Sequence, residues 1–222
     1  MKKLVVVFVL MVVFCPICFA GDEYNDDGYS LNSLWEQNGK FEQKVLSIGF
    51  KILNDNKIEK RVTFLFGRNK KNINAYAHST SKTVVITKGL FPYIDSDDEL
   101  AAVLAHEIVH NIDFYRGLGV RILMGYFPRN FEKRADLGAI DLLVNAGYNP
   151  LALIVVENKV LGEYNFDKTH PKGTDRLLYE YYYIKQNYPQ FLQNNVYENN
   201  IYYKNFLLVT AKQRAKIENN SL

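Results

Sequence analysis

The stretch from Asp97 to Arg116, D-D-E-L-A-A-V-L-A-H-E-I-V-H-N-I-D-F-Y-R, restricts what this chain can fold into more than any other. Leu100, Val103, Leu104 and Ile108 recur at helical spacing and predict a helix with one buried stripe. Ser96, three residues before Glu99, has the pattern of a capping box, and Asp97 and Asp98 suit the positive end of a helix. Gly117 and Gly119 are placed to stop it. On such a helix His106 and His110 project from one face on successive turns, with Glu107 between them, close enough to share one small ion. A purely structural role is disfavoured, because two imidazoles and a carboxylate are costly to bury without a partner.

Two histidines are too few to hold a catalytic metal, so a further ligand is sought downstream. Gly117 to Arg129 reads as an apolar, glycine-containing connector ending at Pro128. A second helix is predicted from Phe131 to about Asn145, with Asn130 as N-cap, Gly147 as C-cap and Pro150 beyond. Glu132 and Asp136 stand four apart near its start. Read alone they are a solvated acidic turn favoured by the helix dipole. Beside the histidine helix, Glu132 becomes the candidate third ligand, and Asp136 a candidate acceptor for the free ring N–H of a ligating histidine.

Residues 1–20 have a basic start at Lys2 and Lys3, an apolar run from Leu4 to Phe14 and a polar turn after Ala20. This is a secretory signal-peptide pattern, with cleavage expected near Ala20. An uncleaved anchor is the weaker reading, since the run is shorter than the roughly 20 residues a membrane span needs. Both cysteines, Cys15 and Cys18, lie in this leader. The mature chain is therefore expected to hold any metal by His and carboxylate alone, which favours Zn2+, one per chain, over soft-ligand chemistry. The formal charge of +3 falls to about +1 without Lys2 and Lys3, so nothing argues for nucleic acid. No transmembrane segment is expected in the mature chain, which is read as exported to a periplasm or secreted.

Beyond the leader, 21–59 is read as an N-terminal helical segment, 60–187 as the core and 188–222 as a helical tail packing on it. Leu31 to Asn54 has helical spacing; Arg61 to Phe66, Ile73 to Ala77 and Thr83 to Thr87 read as strands. The fold class expected is α+β: mainly helical, with a small sheet beside the histidine helix. The middle strand in sequence is expected at the sheet edge, where Asn74, Ala75, Tyr76 and Ala77 would accept an extended peptide. His78 reads as an exposed loop histidine. Further helices are predicted at Asn149 to Gly162, at Thr174 to Tyr183 and around Phe206 to Ile217.

Taken together, N-A-Y-A at 74–77, V-V-I-T-K-G-L at 84–90, D-E-L-A-A-V-L-A-H-E-I-V-H at 98–110, E-K-R-A-D at 132–136 and T-H-P at 169–171 with Arg176 resemble one family, in that family's order. It is the HtpX-like and CAAX-prenyl-protease-like zinc metallopeptidases, in particular their soluble exported members. The resemblance implies a zincin-like fold of gluzincin type, with His106, His110 and Glu132 as zinc ligands and Glu107 as catalytic acid/base. It also implies that Asp136 is the carboxylate beside the site and that His170 and Arg176 belong to the catalytic surroundings. The interval from His110 to Glu132 is short for the family.

The function so implied is a zinc metalloendopeptidase acting on polypeptides, with unfolded or misassembled envelope proteins as the expected substrates in protein quality control. A catalytically silent zinc-binding chaperone of the same fold is the alternative from another class. A non-peptide hydrolase using the same site is the third reading.

Overall fold

The computed structural model describes residues 31–67, 70–161 and 173–220. The leader and the T-H-P segment with His170 lie outside the described residues. The chain is mainly helical with one small sheet, the α+β class expected. Helix α1, Leu31–Asp55, buries Phe41, Val45, Ile48 and Ile52 at helical spacing. Gly49 lets α1 lie directly on the sheet, since a Cβ there would come within 2.6 Å of the Phe64 ring.

Strands β1 (Thr63–Gly67), β2 (Ala75–His78) and β3 (Thr83–Thr87) form a mixed sheet in the order β1-β3-β2. β3 pairs parallel with β1 and antiparallel with β2, and all its residues are buried, as its unbroken T-V-V-I-T run demands. β2 is thus an edge strand.

After a short 3-10 turn at Phe91–Tyr93, α2 spans Asp97–Phe114 and lies against α1, α4, α5 and β2. The Ser96 hydroxyl accepts the Glu99 N–H at 3.2 Å, as the capping box predicts. Its other half is shifted by one residue: the Glu99 carboxylate accepts from the Asp95 N–H and from the buried Lys159 ammonium, at 2.9 and 2.6 Å. Lys159 also meets Asp95 at 2.5 Å, so α5 fastens the start of α2.

The stretch expected as a connector folds instead into helix α3, Leu118–Tyr126, after Gly117 breaks from α2 at φ 101°. α4 covers Pro128–Asn145 and begins two residues before the predicted cap; Pro128, whose fixed φ suits a first turn, takes the place of a side-chain cap. It ends at Gly147, φ 75°, where the Tyr148 N–H reaches the Leu143 carbonyl at 2.9 Å.

α5 (Leu151–Leu161) and α6 (Gly173–Asn187) follow, then a short α7 (Gln190–Gln193), α8 (Ile201–Val209) and α9 (Ala211–Asn219). The single tail helix predicted around Phe206 to Ile217 is two. Thr210 ends α8, with its buried hydroxyl donating to the Phe206 carbonyl at 2.7 Å and accepting from Arg214 at 3.2 Å. Tyr203 and Phe206 of α8 join the core through α5 and α6.

Candidate metal centre

The centre forms where α4 crosses α2. Ala135 and Ala139 are fully buried, and a Cβ on Gly138 would stand 3.0 Å from the Val109 side chain. Small residues on α4 therefore set a close approach, which brings Glu132 to the histidine face of α2. The His106 and His110 Nε2 atoms are 3.0 Å apart; the Glu132 carboxylate lies 3.2 Å from His110 Nε2 and 3.6 Å from His106 Nε2. Ligand atoms about 2.0–2.1 Å from one tetrahedral zinc ion would stand about 3.3 Å from one another, so the donor set and its spacing fit such an ion. The three side chains are only 11–15% exposed, so the cluster is largely enclosed. Glu107 is buried on the same helix, directly after His106.

Asp136, one turn after Glu132, is fully buried. Its carboxylate lies 2.8 Å from His106 Nδ1, which directs Nε2 toward the other two donors. It also accepts from Arg176 Nε at 2.8 Å, from Arg176 Nη2 and from the Tyr179 hydroxyl. Burial works against the charge of Asp136, but Arg176 and His106 outweigh it and hold the carboxyl far below the usual carboxylate range. The same balance holds Glu132 at about 2: burial opposes its ionisation, and the hydrogen bond from His110 with the charge of His106 prevails. For His106, burial favours the neutral ring, while Asp136 raises its pKa to about 9.

Arg176 comes from α6 and is the hub behind the three converging side chains. Besides Asp136 it meets Glu157 of α5 at 2.7 Å and Glu180, one turn on, at 3.6 Å; it stands 4.0 Å from Glu132. Burial pushes Glu157 up to about 7 and raises Glu180 strongly, so the guanidinium is not faced by three full negative charges. Glu157 and Glu180 carry no signal in the sequence reading of the site. The only hints are an acid inside the apolar run L-A-L-I-V-V-E and the four-residue spacing from Arg176 to Glu180.

Of the other candidates, His170 lies outside the described residues. His78 is exposed at the end of β2, with its ring Nδ1 accepting from the Ser81 N–H at 3.3 Å, and is not part of the cluster. Ala75, Tyr76 and Ala77 lie in β2, whose outer edge pairs with no strand among the described residues. Asn74 precedes the strand, and its backbone is occupied by Thr87: its N–H donates to the Thr87 hydroxyl at 2.9 Å and its carbonyl accepts the Thr87 N–H at 3.0 Å.

Comparison with known proteins gives the class first: the similar proteins are named as peptidases, one of them a metalloendopeptidase. Residues 42–114, which include His106, Glu107 and His110, match the model of peptidase family M48. The chain is 28% identical over 138 residues to the mitochondrial metalloendopeptidase OMA1 of Arabidopsis thaliana, covering 47% of this chain and 28% of that protein. It is 26% identical over 136 residues to the putative beta-barrel assembly-enhancing protease of Vibrio cholerae serotype O1 (strain ATCC 39315 / El Tor Inaba N16961), covering 56% of this chain and 25% of that protein. These matches bear out the resemblance read from the motifs and support a metallopeptidase. The chain spans about a quarter of the length of these curated relatives.

Proposed function

We propose that this protein is a zinc-dependent metalloendopeptidase in which His106, His110 and Glu132 hold the ion and Glu107 is the acid/base. The observation that carries this reading is the convergence of two imidazole nitrogens and one carboxylate from separate helices at 3.0–3.6 Å. A zinc ion held there supplies Lewis acidity toward a peptide carbonyl and toward a water molecule.

The chain's own residues do the rest. Glu107 accepts the proton of the attacking water on its carboxylate and returns it to the leaving amine. Asp136 fixes the His106 ring with Nδ1–H directed at its own carboxylate. Arg176 holds Asp136 in place and keeps it ionised. The position of β2 at the edge of the sheet, next to β3 alone among the described strands, supports docking of an extended substrate by strand addition.

The leader pattern and the relative named for beta-barrel assembly support an exported enzyme acting on unfolded or misassembled envelope polypeptides. The test is Glu107→Gln in the purified protein. Metal content stays at one ion per chain, and chelator-sensitive cleavage of casein falls by about a thousandfold, within the range for losing a general acid/base. Cleavage retained by Glu107→Gln sinks the acid/base assignment. A wild type that binds zinc and unfolded protein without cutting it favours the chaperone instead.

A further inference from the structure

Helix α3 is apolar and yet unburied. Its nine residues, L-G-V-R-I-L-M-G-Y, carry one charge, and none of the nine is buried. Leu118 is 71% exposed and Tyr126 73%, with Ile122, Leu123 and the following Phe127 all near half. A surface helix ordinarily turns such residues inward, and a contiguous apolar patch left in water marks an interaction surface. A short helix with seven of its nine residues exposed and only Val120 and Met124 half-buried is a ridge, which does not suit enclosure of a side chain or a small ligand.

The surroundings carry more cations than acids. Between Asp113 and Glu132 the chain carries Arg116, Arg121 and Arg129 and no acid. Lys60 and Lys82 stand over the ring of Tyr115, just before α3, at 5.8 and 4.8 Å. Lys82 is also close enough to Arg121 to feel its charge, and Arg121 holds the end of α2 through the Phe114 carbonyl at 3.2 Å. Arg116 lies 3.5 Å from Asp113, whose main partner is Arg134 at 2.9 Å. The apolar ridge is thus rimmed by cations.

We propose that α3, flanked by Tyr115 and Phe127, is a peripheral docking surface for an anionic phospholipid bilayer. Charge complementarity selects this occupant. A second copy meeting the same face about a two-fold axis would set cation against cation, whereas a bilayer accepts the apolar ridge at its acyl boundary and the basic rim among its headgroups. The aromatic side chains of Tyr115, Tyr126 and Phe127 suit that interface. Nine residues, about 13.5 Å of helix, are too few to cross a membrane, so the contact is in-plane and reversible. No described helix is long and apolar enough to span a bilayer. Because α3 joins α2 to α4, docking would hold the cluster of His106, His110 and Glu132 beside the membrane surface. The inference does not depend on the peptidase reading.

The test uses the full chain with its single tryptophan removed by Trp35→Phe and a new one introduced by Ile122→Trp. A parallel variant carries Leu123→Trp, and Ile201→Trp, on the exposed start of α8, serves as comparison. The readout sits on α3, and the comparison at 201 separates insertion of α3 from attachment of the chain elsewhere. With phosphatidylglycerol vesicles bearing brominated acyl chains, tryptophan emission at 122 and 123 shifts to the blue and is quenched, and at 201 it is not. Adding Arg121→Gln and Arg129→Gln raises the lipid concentration for half-quenching roughly 30-fold. Absence of quenching at both 122 and 123, or equal quenching by phosphatidylcholine vesicles, overturns the proposal. A blue shift that grows with protein concentration without lipid overturns it in favour of a second copy.

Discussion

His106 carries opposing demands. Its Nδ1 lies 2.8 Å from Asp136, which stabilises the doubly protonated ring, while the proposed ion, shared with His110 and Glu132, would need its Nε2 bare. With its pKa raised to about 9 by Asp136 against the effect of burial, the ring of the chelated protein carries a proton on Nε2 at neutral pH. An entering metal must displace that proton. The sign follows: below about pH 9 zinc affinity rises with pH, close to tenfold per unit from this group, and levels off above it. Zinc titration at pH 7 by calorimetry in buffers of different protonation enthalpy therefore shows one proton released from His106. Release of none shows that His106 is neutral before binding or is not a ligand. Asp136→Asn removes the charge that raises the pKa, so the same titration releases less proton while the ring loses its orientation. A loss of zinc affinity of about 10–100-fold is the expected net effect.

Between elements, the geometry of the cluster depends on how closely α4 lies on α2. Gly138 faces Val109 with no room to spare, and Ala135 and Ala139 beside it are fully buried. Gly138→Leu has to push the helices apart, costing about 1–3 kcal/mol by overpacking and moving Glu132 away from the two imidazoles. Thermal melting and zinc affinity both fall; a variant that melts lower but binds zinc as before shows that the ligand positions do not depend on this contact. The same level explains what could be read from sequence. α1, α2 and β3 are legible because their apolar spacing is regular and their ends are marked, by Ser96 and Gly89 for example. α3 is not legible as a helix, because an apolar stretch with Gly119, Gly125 and one arginine has no polar face to give it a period. The break at Thr210 depends on a side-chain hydroxyl satisfying the Phe206 carbonyl inside the core, which no local pattern announces. His106, His110 and Glu132 stand out through four-residue spacing within helices. Glu157 and Glu180 gain their place only when α5 and α6 pack around Arg176.

For the molecule as a whole, the question is whether the metal would make the fold or only tighten it. In small zinc domains the ion replaces a core, and the chain without it is unfolded. This chain has a core independent of the cluster: Ile52, Ile86, Leu100, Leu104, Ile140, Leu143, Ile154, Ile184 and Phe206 are all fully buried, from α1, β3, α2, α4, α5, α6 and α8. The helices that carry the three converging side chains are also joined by packing, and α2 is fastened to α5 through Lys159 and Glu99. The chelated protein is therefore expected to keep its far-UV circular dichroism and to unfold in one cooperative step. An ion that binds only the folded state adds about 4 kcal/mol when free metal is a thousand times the dissociation constant. For a chain of this size each kcal/mol is worth about 2–4 °C, so zinc at that excess raises the melting temperature by roughly 8–16 °C over the chelated form. His110→Ala removes one of the proposed ligands and is expected to remove most of that increment. It leaves the melting point of the chelated protein within a few degrees of wild type, since the ring is 9% exposed at the edge of the cluster rather than in the apolar core. A chelated chain without helical signal would make the ion structural. A melting point indifferent to zinc in the wild type would mean that the three side chains converge without binding it.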